Sequence, residues 1–204
     1  IETDRWNDYL SKAPKHTYDV EAAKALLAEA GYPDGFTCSL MIADSSLRNS
    51  MALAIQEQLA QIGITVNINK VSTGEHTAYQ FGEKLDANGL RDYDMIMAGW
   101  EADYPDPSGN LTPLYQGGNS ANAAAYQNDE VDKLIADQAQ SSDPTQRNDD
   151  MFQAFDIITQ DVPYVFLYYP VKNIAMNKAY TGVTMNASWI WNIHFQSVHP
   201  VSEG

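Results

Sequence analysis

Cysteine is nearly absent: Cys38 is the one thiol in 204 residues. No intrachain disulfide can form, and the residue reads as a small apolar side chain within a strand. Cations are scarce as well. Lys and Arg total 12 against 27 Asp and Glu, a formal charge of −15. Binding nucleic acid or an anionic membrane surface needs clustered Lys and Arg, so the charge argues against both partners. No apolar run approaches the roughly 20 residues that span a bilayer. The longest, 162–171, is interrupted by Pro163 and Pro170. The chain opens at Ile1 with neither a methionine nor a leader, which reads as a processed or cut chain.

Signatures of chemistry are missing too. The four histidines, at 16, 76, 194 and 199, never pair at helical spacing. There is no HExxH, CxxC, GxSxG, GxxxxGK[ST] or GxGxxG. The sequence therefore predicts no metal, no cofactor and no enzyme. What it does hold is a globular composition, 44% hydrophobic and 11% aromatic, enough to bury a full core at this length.

Helical and strand patterns alternate along the first half. Residues 19–30 (DVEAAKALLAEA) are rich in Ala and Leu, with Asp19 placed as N-cap and Gly31 as the stop. Residues 36–43 read as a strand, 46–62 as a helix with apolar residues every three or four positions, and 64–71 as an alternating strand. A helix is expected over 76–87 and a buried strand over 93–98. This order implies an α/β fold with parallel pairing. Residues 99–125, with three prolines and four glycines, read as a long loop, and loops of that length are usually functional. Two more helices are expected at 129–139 and 144–160. Between 129 and 161 nine acids face two bases, which reads as a solvated helical face. Strands are expected at 165–169 and 173–177, joined at Pro170. Trp189, Trp191 and Phe195 follow among polar residues.

The loop after 98 carries the candidate chemistry. Trp100, Asp103 and Tyr104 lie at the carboxyl end of the expected buried strand, the edge at which open α/β sheets bind ligands. A carboxylate beside aromatic rings suits an ammonium group. The alternatives are a loop packed on its own aromatics with Asp103 capping a turn, a Ca²⁺ site, or a hydrolase using Asp103 and Asp106.

Four segments, in order, resemble one known family. YDVEAAKALLAEAGYPDG (18–35), AGWEADYPDP (98–107), NAAAYQNDEVDKLI (122–135) and DVPYVFLYYPV (161–171) are similar to motifs of the extracellular solute-binding proteins, family 5, of oligopeptide and dipeptide ABC importers. The resemblance implies a periplasmic-binding-protein-like lobe, a mixed sheet flanked by helices. It implies that 1–204 is the C-terminal lobe of a larger two-lobed protein, with about 188–204 returning toward the other lobe. It further implies capture of oligopeptides for import, with a dipeptide, nickel complex, opine, sugar or glutathione as alternative solutes. By position, Asp103 would pair with the peptide's α-ammonium. Gly99 and Glu101 would pair with its backbone as an added strand. Trp100 would border a side-chain pocket, and Tyr104 is counted among the ligand-binding residues. Of the paired tyrosines 168 and 169, alternation sends one to the cleft and one to the core, and Tyr169 is assigned to the cleft. Glu101 adds charge where the family often has a neutral residue. The implied partners are a peptide and a membrane permease, for a monomer outside the cell, lipid-anchored at the outer face of the membrane or free in the periplasm.

Overall fold

A computed structural model describes residues 2–171, 173–184 and 195–201. The first helix, α1 (Thr3–Lys12), lies in a stretch with no sequence expectation. It is tied to the far end of the chain: the Trp6 indole donates to Asn148 at 3.0 Å and the Tyr9 hydroxyl to Asp156 at 2.9 Å. Tyr9 also stacks on Phe152 with ring centroids 4.4 Å apart. Next, α2 (Val20–Glu29) begins where the Asp19 carboxylate accepts the Ala22 N–H, and it stops before Gly31 at φ +89°.

Three strands form a parallel sheet in the order β2–β1–β3. The central strand, β1 (Thr37–Ala43), pairs with β2 (Thr65–Val71) along its whole length, from Thr37 opposite Thr65 to Ala43 opposite Val71. Its near-continuous burial is that of an inner strand. The third strand is short: β3 is Met95–Ile96, set against Leu40 and Met41. Between β1 and β2 runs α3 (Ser46–Ala60), capped by Ser45. Cys38, Leu40, Ile42, Ala52, Val66 and Met97 make the core beneath them.

The helix expected at 76–87 is α4, Thr73–Gln80. A capping box between Ser72 and Glu75 starts it earlier, and Gly82 at φ +73° follows its end. The long loop expected at 99–125 contains a helix, α5 (Ser108–Tyr115). Its Gly109 and Pro113 are the two poorest helix formers, which is why composition read as loop. Two capped helices follow, α6 (Asp129–Gln140) and α7 (Pro144–Asp161), close to expectation. Leu111, Tyr115, Val131, Ile135, Met151 and Ala154 form a second core among α5, α6 and α7.

The strands expected at 165–169 and 173–177 do not form. That stretch is irregular, with Val165, Phe166, Tyr169 and Val171 mostly exposed. A strand needs a ladder partner for its backbone, and none is offered among the described residues. An antiparallel ribbon of β4 (Tyr180–Thr181) and β5 (His199–Pro200) closes the described chain. Trp189 and Trp191 lie outside the described residues.

Candidate functional site

The chain leaves β3 and crosses from the sheet core to the helical core through residues 97–107. Three clamps hold this crossing. First, the buried face of α4 presents His76 and Gln80, one turn apart. The Gln80 side-chain amide donates to the Gly99 carbonyl at 2.8 Å, and His76 Nε2 lies 3.1 Å from the Met97 carbonyl. Burial and then the Arg48 charge push the His76 imidazole below its ordinary value, against the pull of the Met97 carbonyl. His76 is thus neutral near pH 7, with Nε2–H as donor.

The second clamp is on Trp100. Its indole Nε1–H donates to the Gly109 carbonyl at 3.0 Å, and the half-buried ring packs against the helical core. The third is on Asp106. Both of its oxygens meet the Arg147 guanidinium, at 3.0 and 2.5 Å, a bidentate pair. One oxygen also accepts the Ser108 N–H at 3.0 Å and the Ser108 hydroxyl at 2.7 Å. Burial alone would push the Asp106 carboxyl up. The Arg147 and Ser108 hydrogen bonds overcome it and hold the group down to about 2. A carboxylate so held cannot act as a general acid near neutral pH. Asp106 therefore does not serve as the general acid of a carboxylate pair.

Between the second and third clamps, 101–105 is displayed. Glu101 is half-buried and engaged. Tyr104 is exposed, with its hydroxyl 3.4 Å from the Ser108 hydroxyl. Asp103 is exposed and has no hydrogen bond or ion pair among the described residues. Gly99, Trp100, Glu101, Asp103 and Tyr104 therefore share one held segment.

Tyr169 stands apart from them in contact and in environment. It is 88% exposed on the irregular stretch after α7, near enough to Tyr115 to help raise that phenol, whose main cause is burial. Tyr168 is 55% exposed. Neither tyrosine enters a core, because no sheet enforces alternation there.

Gln80, Gly109, Pro113 and Arg147 were not legible as site residues. Asp-Pro ahead of a helix is a start signal and could have revealed Asp106 as the residue holding the front of α5. No group of His, Cys, Asp or Glu among the described residues could hold a metal ion. No helix among them is long and apolar enough to cross a membrane.

Comparison with known proteins places this geometry. The chain is 34% identical over 173 residues to a glutathione-binding protein, GsiB, of Salmonella typhimurium (strain LT2), covering 81% of this chain and 33% of that protein. The chain thus spans about a third of the length of such curated relatives. Among solved structures, the oligopeptide-binding protein AppA of Bacillus subtilis, in complex with a nonapeptide, superposes with a TM-score of 0.75 at 26% identity, over 94% of this chain and 39% of that one. The periplasmic binding protein DppA of Helicobacter pylori, in complex with the peptide STSA, gives 0.66 at 31% identity, over 76% and 29%. The model of bacterial extracellular solute-binding proteins, family 5 Middle, matches residues 2–122, more than half of the chain. With the ordered motifs and the α/β fold, this shows that the chain belongs to the family 5 bacterial extracellular solute-binding proteins.

Proposed function

We propose that the chain is one lobe of the substrate-binding component of an ABC importer that captures peptides outside the cell and delivers them to a membrane permease. The observation that carries this is Asp103: an exposed carboxylate without a partner among the described residues, on a loop whose flanking polar groups are already engaged. A loop built to present one open carboxylate suits a peptide α-ammonium. Gly99 and Glu101 are proposed to pair with the peptide backbone, and Trp100 and Tyr104 to border the first side chain. The role of Tyr169 rests on the resemblance alone. The solved neighbours bound to peptides support a peptide ligand.

A second reading is favoured by the curated relatives, named for glutathione. Glutathione also carries an α-ammonium, so it uses the same carboxylate. The test is a titration of the full-length protein with glutathione and with free and N-acetylated tetrapeptides. Preference for the free amines supports the role of Asp103; equal affinity removes it. Asp103→Asn is expected to cost roughly 2–5 kcal/mol of binding where the cleft desolvates the pair. In the 204-residue chain the ligand keeps one face in water, so Kd is expected at roughly millimolar. Micromolar binding by this chain alone would contradict the single-lobe reading.

A further inference from the structure

Helix α5 carries two residues that helices avoid, Gly109 and Pro113, spaced one turn apart on the side that receives the loop. A helical residue at 113 would normally donate its N–H to the carbonyl of residue 109. Proline has none to give. The Gly109 carbonyl is therefore left open, and it is this carbonyl that accepts the Trp100 indole N–H at 3.0 Å. The glycine does the complementary job. A Cβ built at Gly109 would lie 3.0 Å from the Ala102 methyl and 3.2 Å from the Tyr104 carbonyl. The bare backbone thus lets 102–104 settle onto the helix.

We propose that Pro113 and Gly109 are positioning residues for the ligand loop: the proline frees a helix carbonyl to orient Trp100, and the glycine lets the Asp103 segment sit against the helix. This rests on the reading of 99–104 as the ligand loop. A helix in the core would be more stable with alanine at both positions, so the two residues trade helix stability for the placement of Trp100 and Asp103. Gln80 holds the preceding residue, so the ring is fixed from both sides.

The test is Pro113→Ala, which restores the N–H that competes for the Gly109 carbonyl. Amide and indole hydrogen exchange and the Trp100 indole NMR signal are compared in the variant and the unaltered chain. The expected result is a displaced indole signal and indole exchange at least about tenfold faster, with β1 and β2 amides exchanging no faster than before. A purely structural proline would do the reverse, moving the whole chain or nothing. An unchanged indole, or one that accelerates only in step with the β1 and β2 amides, overturns the proposal. Trp100→Phe removes the donor without touching α5. On that background Pro113→Ala should change nothing further in the amide exchange of 101–104, and an additive effect also overturns it. Glutathione and the tetrapeptide Ser-Thr-Ser-Ala serve as probes, followed by loop amide shifts. Weaker binding in Pro113→Ala at undiminished stability supports the positioning role. Failure of both probes to perturb the unaltered chain counts against the ligand-loop reading, while the indole result still decides what Pro113 does.

Discussion

The pairing of Asp106 with Arg147 holds the front of α5 to α7, 41 residues away in sequence, and its strength can be worked from the structure. Asp106→Asn keeps the side chain's shape and removes its charge. The carboxyl moves from an ordinary 3.8 to about 2 on folding, which at 1.36 kcal/mol per tenfold is worth about 2.5 kcal/mol. Both side chains are mostly but not fully covered, at 22% and 28% exposure, so screening trims this to about 2 kcal/mol. The folded pKa is the lower one. The contribution is therefore complete above pH 3.8 and disappears as the pH falls from there toward 2. At pH 7 the variant should lose about 2 kcal/mol. That corresponds to about 4–8 °C in Tm for a chain of this length. At pH 3 the gap should have narrowed to about half. Urea unfolding of the two proteins at pH 7 and pH 3 measures both numbers. A loss below about 0.5 kcal/mol at pH 7, or a gap that stays constant between the two pH values, would refute the reasoning. A double-mutant cycle with Arg147→Met should return most of the loss as coupling.

Three further outcomes follow from the packing. Val162 ends α7 at φ +48°, a left-handed conformation that a β-branched residue adopts at a cost; Val162→Gly should stabilise the chain by about 1 kcal/mol, and a drop in Tm would show that the exposed valine holds a contact worth more than that strain. Met151 is fully buried in the helical core, so Met151→Ala should cost about 2–5 kcal/mol, read by urea unfolding; a loss under 1 kcal/mol would mean that the helices collapse onto the gap. Because the His76 imidazole titrates below its ordinary 6.5 when folded, its contribution is full above pH 6.5 and falls away below it. The unaltered chain should therefore lose more stability between pH 7 and pH 5 than His76→Leu does, and parallel losses would place His76 outside that window.

What could be read from the sequence was what is local. Asp19 caps α2 three residues from the N–H it accepts, and Gly31 ends it two residues past its last turn. The alternation of β2 shows an edge strand with one covered face. The motif at 98–107 marks the loop that the fold clamps, because its residues are contiguous. The clamps on that loop were hidden for the opposite reason. Gln80 lies 19 residues from Gly99, and Arg147 lies 41 from Asp106; no periodicity links them. The stretch 165–169 has the composition of a strand, yet composition cannot supply the neighbouring edge that a strand requires.

α5 is the instructive failure. Its Gly109 and Pro113 count against a helix in any tally of propensities, and the tertiary core of Leu111, Leu114 and Tyr115 overrides them. Local preference and the fold disagree at this short helix, and of the two disagreeing residues Gly109 touches the loop holding Trp100 and Asp103 while Pro113 leaves the Gly109 carbonyl open to Trp100. If the glycine and proline only tolerated the fold, they would be expected anywhere on α5. Their position on the face that meets the loop is instead what a site requires when it draws its hydrogen-bond acceptor and its clearance from a helix backbone.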